Sequence, residues 1–458
     1  MTMTVTQDAS VTGPLLIRAR TPGAVSAHVT AIDDRPCVVV EIDAAHRRGA
    51  ISQTDGETIA EAARLALRNG LPLIGYIASS GSDITEGVSA LHGWGLAARA
   101  VVECSGVVPI IMIVTGPAVS GPALLLGLAD HVLMDAQSYA FVTGPAMVTE
   151  FTGVPIDNES LGGATTHARS SGTTALIVNN REHADEMVAA LLAYLPSNAD
   201  ELPPRWPCTD PTDRLTPEAG DLLPSTATGS YDVRKLISIL SDDGEFLELR
   251  DRWATNAVTA FATIDGRPVG FVANQPQSLA GTLDIPASQK LARFVAFCDA
   301  YNLPVVTLVD TPGFYPGKDL EWRGMIRHGA QLVFAYARAS VPRVCVILRK
   351  SYGGAYIVMD SKRMGNDICL AWPTAELAVM GAKQAAEILN RGATPDERAA
   401  FEADYETRLL NPYVAAERGF VDDVIDPAHT RIRIAAALEM LSTKRETRHR
   451  RKHDNTPL

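Results

Sequence analysis

The fold is decided by two stretches of the chain, PIIMIVTGPAVSGPALLLG from Pro109 to Gly127 and PRVCVILRKSYGGAYIVMD from Pro342 to Asp360. Each stretch begins with an apolar run that is typical of a buried strand, passes through a turn of small residues and continues into a second apolar segment. When the two stretches are aligned without gaps from Pro109 and Pro342, Ser120-Gly121-Pro122 aligns with Gly353-Gly354-Ala355. The matched spacing favours an internal duplication of α/β domains, and chance similarity between two α/β units is the alternative.

The flanking segments alternate between strand and helix patterns. In the first half, the patterns predict strands at 25–32, 36–42, 71–79 and 109–115 and helices at 57–68 and 86–103. In the second half, they predict strands at 258–264, 267–273, 303–310 and 342–348 and helices at 288–301 and 329–339. This alternation indicates an α/β fold in each half.

A segment rich in Pro, Thr and Asp divides the 458 residues almost in half. It lies between Pro203 and Thr228 and has the composition of a linker. We therefore predict two domains, 1–222 and 223–458, and a loose arm over residues 1–20.

Charge and cysteine content limit the partners and the compartment. The chain has 41 basic and 53 acidic residues and a net charge of −12, so nucleic acid is not expected as a partner. Its six cysteines form no CxxC pair, which is typical of reduced thiols in a cytoplasmic protein. No apolar run approaches the length of about 20 residues that spans a bilayer.

The two turns of small residues can perform a specific kind of chemistry. A strand that passes through such a turn into a helix presents free backbone N–H groups at the N-terminus of the helix. These donors can hold an oxyanion that forms during enolate or acyl chemistry. Packing of a helix against a strand can also require the same small residues, so one turn alone is a weak indication.

Other common catalytic and binding motifs are missing from the sequence. There is no GxxxxGK[ST] loop, no GxGxxG after the first strand, no GxSxG and no HExxH. The carboxylates form no obvious metal cluster, and we expect no metal in this chain. This inventory favours a chemistry that needs neither a side-chain nucleophile nor a metal.

Motifs in the second half resemble a known family, the carboxyltransferase (β) subunits of biotin-dependent acyl-CoA carboxylases of the propionyl-CoA and acetyl-CoA type. The resemblance covers nearly the whole chain and is most specific in 225–458. The motifs that carry it include Val309-Asp310-Thr311-Pro312-Gly313-Phe314, Ile326-Arg327-His328-Gly329-Ala330, Arg349-Lys350-Ser351-Tyr352-Gly353-Gly354-Ala355-Tyr356 and Ala371-Trp372-Pro373-Thr374-Ala375-Glu376.

The resemblance implies two tandem crotonase-like ββα-superhelix domains, an N-terminal and a C-terminal carboxyltransferase domain. It implies a homohexamer built as a trimer of dimers, with a biotin carboxylase and biotin carrier subunit as partner. Carboxybiotin delivered by that carrier is expected to release CO2; the biotin anion then takes the α-proton of a short acyl-CoA, and the resulting enolate attacks CO2. Fatty acid or polyketide precursor metabolism is the expected context.

The same resemblance assigns roles to residues of both turns. It implies that the amides of Gly354 and Ala355 hold the biotin oxyanion, and that Gly353 and Tyr356 also contact biotin. It implies that the amides of Ser120 and Gly121 hold the thioester oxyanion. Ile357 stands where relatives have Asp or Ile, a position that the family links to acyl-chain choice.

The first half departs from the family pattern around its turn. Where relatives usually read Ser-Gly-Gly-Ala-Arg, this chain reads Ser80-Gly81-Ser82-Asp83-Ile84, so the arginine is absent and an acid is present. The chain also has Ser120 in place of a glycine and Pro122 in place of an alanine. An acid near the phosphates of CoA would repel them. The sequence therefore predicts Arg47 and Arg48 as compensating CoA-binding cations, and a solvated surface turn is the alternative for this pair.

These departures leave other functions open. On the same fold the chain could decarboxylate a malonyl-type thioester or transfer the carboxyl group to another acceptor. It could also be a non-catalytic paralogue that fills positions in a carboxylase complex. A simple crotonase hydratase fits less well, because one domain would suffice and no catalytic Glu pair is evident.

Overall fold

The computed structural model describes residues 15–17, 23–226, 228–446 and 448–457. The chain divides into two compact units. Unit 1 consists of Met1–Leu192 and Ser197–Asp200, and unit 2 of Ala193–Pro196 and Glu201–Leu458.

Unit 1 contains one sheet and the helices that pack on it. Its strands are β1 (Leu15–Ile17), β2 (Val25–Ile32), β3 (Arg35–Ile42), β4 (Leu73–Ser79), β5 (Ile110–Val119), β6 (His131–Asp135), β7 (Tyr139–Phe141) and β8 (Leu176–Val178). Its helices are α1 (Gln53–Asn69), α2 (Val88–Cys104), α3 (Gly121–Leu126), α4 (Pro145–Thr152), α5 (Asn158–Gly162), α6 (Ala164–Thr166) and α7 (Arg181–Tyr194). Short 3-10 turns lie at Arg47–Gly49 and Ile84–Glu86, and a π-helical turn lies at His167–Ser171.

Unit 2 repeats this plan with additional helices. Its strands are β9 (Phe246–Leu249), β10 (Ala257–Ile264), β11 (Arg267–Asn274), β12 (Val305–Thr311), β13 (Arg343–Tyr352), β14 (Ile368–Ala371), β15 (Glu376–Ala378) and β16 (Asp423–Val424). Its helices are α8 (Glu218–Asp221), α9 (Val233–Leu240), α10 (Ile285–Ala300), α11 (Lys318–Trp322), α12 (Met325–Arg338), α13 (Gly353–Val358), α14 (Ala382–Leu389), α15 (Pro395–Tyr405), α16 (Pro412–Glu417) and α17 (Thr430–Met440). Short 3-10 turns lie at Asp242–Gly244, Leu279–Gly281, Lys362–Met364, Pro427–His429 and Leu441–Thr443, and a π-helical turn lies at Glu406–Leu410.

The two sheets have the same strand order, which confirms the predicted duplication. In unit 1 the order is β1-β2-β3-β4-β5-β6-β8 with β7 beside the end of β5, and in unit 2 it is β9-β10-β11-β12-β13-β14-β16 with β15 beside the end of β13. In both, an antiparallel hairpin opens the repeat and the later strands are parallel. The loops repeat as well, because three consecutive residues have positive φ at Arg47–Gly49 and again at Leu279–Gly281.

Apolar side chains between sheet and helices hold each unit together. In unit 1, Ile59 of α1 and Val101 of α2 are buried in one core with sheet residues such as Val40 and Met112. In unit 2, α9 and α17 contribute Leu236 and other buried residues to a core with the central strands. Such burial stabilises by about 1.5–3 kcal/mol for each large apolar side chain.

The structure corrects three details of the sequence prediction. Residues 201–222 belong to unit 2, because Trp206, Thr216 and Ala219 pack within it, so the division of the chain lies earlier than 222. Residues 15–17 of the predicted arm form β1 and pair with β2; the rest of that arm lies outside the described residues. Helix α1 begins at Gln53 rather than at residue 57, because Ser52 and Asp55 form a capping box.

Candidate active site

The turn of unit 2 follows directly from the end of β13. Residues Lys350–Tyr352 pair with β15, and the Tyr352 hydroxyl donates a hydrogen bond to Glu376 of that strand. Gly353 then takes a φ of 58°, and a Cβ placed on it would lie 3.2 Å from the carbonyl oxygen of Val379. Helix α13 starts here, so its first amides, those of Gly353, Gly354 and Ala355, have no acceptor within the helix.

A buried ion pair supports this turn from below. The Oδ2 atom of Asp310, in β12, accepts a hydrogen bond from Nε of Arg349 at 3.0 Å, and its Oδ1 atom accepts one from the Lys350 amide at 3.1 Å. Burial raises the pKa of the Asp310 carboxyl, and the neighbouring Arg349 opposes that shift. The pair therefore fixes the last residues of β13, from which the turn projects.

Two cavities meet at the turn of unit 2. The first, of about 540 Å³, is lined by Gly353, Gly354, Tyr356, Ile357, Leu377, Ala378, Val379, Tyr405, Leu409, Val414, Ala415, Arg418 and Phe420. The second, of about 520 Å³, is lined by Phe314, Glu321, Met325, Ile326, Gly329, Ala330, Val333, Gly354, Ile357 and Val358. Gly354 and Ile357 line both cavities, so they form the wall between them. Ala355 is fully buried and lines neither.

The turn of unit 1 has the same backbone but fewer free donors. Ser120 takes a φ of 63°, and its N–H donates to the carbonyl of Phe141 at 2.9 Å. Pro122 has no N–H, and the Ala123 amide donates to the Ser120 carbonyl at 3.1 Å. The Gly121 amide is therefore the remaining donor among these four consecutive residues.

Trp94 of α2 closes the side of this turn. A Cβ placed on Gly121 would lie 2.6 Å from Nε1 of Trp94 and 2.7 Å from its Cδ1. These separations are far below van der Waals contact, so a side chain cannot be accommodated at Gly121 unless the indole moves. The small-residue pattern at this position is thus required by packing.

The amide of Ser82 is a second donor beside the turn of unit 1, and the sequence analysis did not assign it. The Ile51 amide donates to the Gly81 carbonyl and the Asp83 amide donates to the Ile51 carbonyl, both at 2.8 Å. In such a bridge the N–H of the central residue, Ser82, points away from Ile51. Gly81 lies against the turn, since a Cβ on it would be 3.7 Å from Cβ of Ser120.

Phe314 occupies the matching position in unit 2. The Leu283 amide donates to the Gly313 carbonyl at 3.0 Å, and the Tyr315 amide donates to the Leu283 carbonyl at 2.9 Å. The amide of Phe314 therefore also points away from its bridge partner, and Phe314 lines the second cavity together with Gly354. No sequence motif gives the direction of these amides, because it depends on pairing between distant segments.

Asp83 is neutralised locally. Nη1 of Arg47 lies 2.8 Å from its Oδ2 atom, and the amide and the hydroxyl of Thr85 donate to its Oδ1 atom. The hydrogen bonds from Thr85, followed by the contact with Arg47, lower the pKa of the Asp83 carboxyl. Arg48 is exposed, and its guanidinium makes no hydrogen bond or ion pair with any residue that the structure describes. Of the two predicted cations, Arg48 is thus the one available to a ligand.

The described ranges contain neither a metal-binding cluster nor a membrane-spanning helix. Within them, no group of three or more His, Cys, Asp or Glu residues is arranged to hold a metal ion. No helix built from those residues has both the length and the apolar character needed to cross a membrane.

The comparison with protein families agrees with the duplicated fold and its two turns. The carboxyl transferase domain family matches residues 17–456. The chain belongs to this family. It is a carboxyltransferase of the type found in the β subunits of propionyl- and acetyl-CoA carboxylases, which confirms the family and the enzyme class predicted from the sequence.

Individual relatives are similar over most of their length. The chain is 46% identical over 413 residues to the propionyl-CoA carboxylase beta chain of Roseobacter denitrificans, covering 90% of this chain and 81% of that protein. It is 44% identical over 454 residues to the biotin-dependent acetyl-/propionyl-coenzyme A carboxylase beta5 subunit of Mycobacterium tuberculosis, covering 95% and 82%.

A solved structure is similar in fold throughout. The crystal structure of transcarboxylase 12S, a hexamer with methylmalonyl-coenzyme A and methylmalonic acid bound, superposes with a TM-score of 0.93 and 41% sequence identity. The match covers 95% of this chain and 85% of that one. The predicted crotonase-like α/β fold is therefore confirmed.

Proposed function

We propose that this chain transfers the carboxyl group of carboxybiotin to the α carbon of a short acyl-CoA. The observation that carries the proposal is the turn of unit 2, where Gly354 stands between two cavities of about 540 and 520 Å³. A donor at such a junction can serve a reaction in which a group passes from one bound molecule to another. The biotin dependence and acyl-CoA substrates of the relatives agree with this assignment.

The residues around the turn of unit 2 fit the biotin ring system. Gly353 and Gly354 leave the turn without side chains, and the cavity beside it is lined mainly by apolar residues, together with Arg418 and the tyrosines Tyr356 and Tyr405. Burial raises the pKa of Tyr356 to about 12. Carboxybiotin supplies the carboxyl group and then, once it has lost CO2, the base that takes the α-proton. The amides of Gly354 and Phe314 are the two donors that we assign to the oxygen of the ureido group.

The role of Ala355 stays a prediction, and its buried position makes it less direct than that of Gly354. Its amide is at the third position of α13 and adds to the positive end of the helix without lining either cavity. Gly354 can therefore touch the ligand, whereas Ala355 would act through the field of the turn.

We assign the thioester oxygen to the amides of Gly121 and Ser82 in unit 1. The N–H of Ser120 is already used within the sheet, so its exposed hydroxyl is the group of this residue that can meet a thioester. Arg48 is the cation that we assign to the phosphates of CoA, and Arg47 supports the site by neutralising Asp83.

Ile357 is proposed to limit the acyl chain. It lines both cavities and is partly exposed, so a branched apolar side chain separates the two spaces. Ile357→Asp places a charge in this wall, and we expect acetyl-CoA use to fall more than propionyl-CoA use. An unchanged ratio of the two kcat/KM values would show that Ile357 does not line the acyl pocket.

The expected partners follow from the relatives. We propose a homohexamer, as in transcarboxylase 12S, that works with a biotin carboxylase and biotin carrier subunit and needs no metal of its own. We propose that the protein is located in the cytoplasm, because the six cysteines of the chain are free thiols.

The structure weakens one argument for the two alternatives, a decarboxylase and a non-catalytic paralogue. They depended on an uncompensated acid at Asp83, whereas Arg47 and Thr85 hold that carboxylate. The deciding experiment is co-purification with a biotin carrier subunit, followed by fixation of labelled bicarbonate onto a panel of acyl-CoAs. Fixation onto acetyl- or propionyl-CoA is expected. Loss of CO2 from malonyl-CoA with no fixation would favour the decarboxylase, and neither activity would favour the paralogue.

A further inference from the structure

The first cavity of unit 2 contains one charged side chain. Of its lining residues, Arg418 alone carries a charge, and the others are glycines, aliphatic residues and aromatic residues. The second cavity likewise has one charged lining residue, but there it is an acid, Glu321. The two cavities that meet at Gly354 are therefore distinguished by the sign of their charge.

Arg418 is held in place by its backbone while its side chain is available. It follows the last residue of α16, and its amide donates to the Val414 carbonyl at 3.2 Å. The residue is exposed, and among the described residues its guanidinium has no ion-pair or hydrogen-bond partner. An arginine at the edge of an apolar cavity, with no carboxylate of its own, can bind the carboxylate of a ligand.

The same cavity also has a backbone donor in its lining. Gly354 lines it, and its N–H lies in the first turn of α13, where the helix provides no acceptor. An apolar space whose lining holds one guanidinium and a backbone N–H fits a group that has one carboxylate on an otherwise neutral frame. Bidentate hydrogen bonds from an arginine would also orient that carboxylate.

We propose that Arg418 binds the carboxylate that is being transferred and fixes its position relative to Gly354. This inference rests on the proposed function. The carboxylate is carried either by the N-carboxyl group of carboxybiotin or by the malonyl-type thioester. Both sources have the same chemistry, and the two parts of the experiment below distinguish them.

The first part measures binding to the full chain by titration calorimetry. Arg418→Gln, which removes the charge, is compared with Arg418→Lys, which keeps a charge but not the bidentate geometry. The matched control is Arg391→Gln, an exposed arginine that lines neither cavity. If the thioester brings the carboxylate, Arg418→Gln weakens malonyl-CoA binding by about 10- to 100-fold and acetyl-CoA binding by less than twofold. Arg418→Lys falls between wild type and Arg418→Gln.

The second part measures the KM for carboxylated carrier in the forward reaction. If biotin brings the carboxylate, Arg418→Gln raises this KM by about tenfold or more while malonyl-CoA binding stays at the wild-type value. Either result supports the inference and identifies the source.

Three outcomes contradict the inference. Equal weakening of malonyl-CoA and acetyl-CoA would mean that Arg418 binds the CoA moiety instead. Wild-type values in both parts would show that the side chain binds no carboxylate. A wild-type chain that transfers no carboxyl group to any acyl-CoA would remove the proposed function and this inference with it, whereas an active wild type with an unaffected Arg418→Gln variant would remove this inference alone.

Discussion

The turns of the two units share a backbone path and differ in the donors that they offer. Ser120 and Gly353 both have φ near 60°, at 63° and 58°, and each follows the last residue of a strand that pairs with a short extra strand. One position further along are Gly121 and Gly354, and next come Pro122 and Ala355. At the third position unit 2 has the N–H of Ala355, whereas Pro122 of unit 1 has none.

This difference shows that the two units have kept the backbone geometry of the turn more strictly than its set of hydrogen-bond donors. The pairing of strands fixes where the turn lies and forces a positive φ at its first residue. The number of free amides depends on which residues follow in the turn, and the space around them depends on which side chains pack against it. In unit 2 the turn opens onto two cavities, whereas in unit 1 the indole of Trp94 lies against it.

The largest effect is expected from removing an N–H from the turn of unit 2 at Gly354, one position before the residue that aligns with Pro122 of unit 1. Gly354→Pro removes the N–H at the second position of α13, where the first turn of a helix tolerates proline. Loss of one oxyanion donor typically costs about 10²–10³ in rate, so kcat for carboxyl transfer should fall by that order.

Gly354→Ala is the control for this variant. It keeps the N–H, and its Cβ would lie 3.4 Å from the nearest atom of the Phe314 ring, which is ordinary contact. The alanine variant should retain activity within a few-fold, with an unchanged circular dichroism spectrum for both variants. A folded Gly354→Pro protein with wild-type kcat would remove Gly354 from the site.

A smaller loss is expected from filling the turn of unit 1. Gly121→Ala places a Cβ 2.6 Å from Nε1 of Trp94, and overpacking of this kind costs about 1–3 kcal/mol. We expect kcat/KM for acyl-CoA to fall by about 10- to 100-fold. The change Trp94→Phe made in the same protein removes Nε1, the nearer of the two clashing atoms, and should restore part of the loss.

Gly95→Ala is the matched control, because it lies next to Trp94 on α2 and has open space around its Cβ position. If Gly121→Ala and Gly95→Ala have the same kinetics, the turn of unit 1 does not contact the thioester.

Substitutions of Arg47 and Arg48 should have different effects, because the guanidinium of Arg47 is paired with Asp83 and that of Arg48 has no partner among the described residues. Arg48→Gln removes the unpaired charge and should raise the KM for acyl-CoA by about 3- to 10-fold at low salt, with a smaller effect as salt rises. Arg47→Gln should act mainly by releasing Asp83, so its effect should disappear in the Asp83→Asn background. An acyl-CoA KM that is independent of both arginines at low salt would place the phosphates elsewhere.

The sequence predicted the strands and the duplication well because their signal is local. The run at 25–32 matches β2 at Val25–Ile32, and the equal steps from Pro109 and Pro342 place Ser120 over Gly353, whose φ values agree. It missed the extension of β5 to Val119, because Gly116 and Pro117 read as a break in the strand. There Pro117 pairs with Tyr139 of a strand that no pattern identifies.

The sequence predicted where the two turns lie, but it could not predict which of their N–H groups are free. Turn composition and the family motifs indicate Gly121, Gly354 and Ile357, all of which the structure places at the turns. Whether an N–H is free depends on distant partners, such as Phe141 for Ser120 and Ile51 for the segment of Ser82. Burial of Ala355 and the position of Arg418 at the edge of a cavity likewise result from tertiary packing.

The smallest effect is expected at Ser120, the residue that has a side chain where unit 2 has glycine. Its φ of 63° and ψ of −123° lie in a region that residues with a Cβ rarely adopt, and such strain costs about 1–3 kcal/mol. Glycine removes the strain but adds freedom to the unfolded chain at about 0.5–1 kcal/mol. Ser120→Gly should therefore stabilise unit 1 by about 1 kcal/mol and raise its Tm by about 2–4 °C. Ser120→Ala removes the hydroxyl but keeps the strain, so its Tm should stay near that of wild type.

The same two variants also separate two effects of Ser120 on kinetics. If both variants lose kcat/KM for acyl-CoA, the hydroxyl donates a hydrogen bond to the thioester. If Ser120→Gly alone gains kcat/KM, the side chain crowds the thioester. If Ser120→Gly melts at the wild-type temperature and both variants have wild-type kinetics, the turn of unit 1 is neither strained at Ser120 nor in contact with the thioester there.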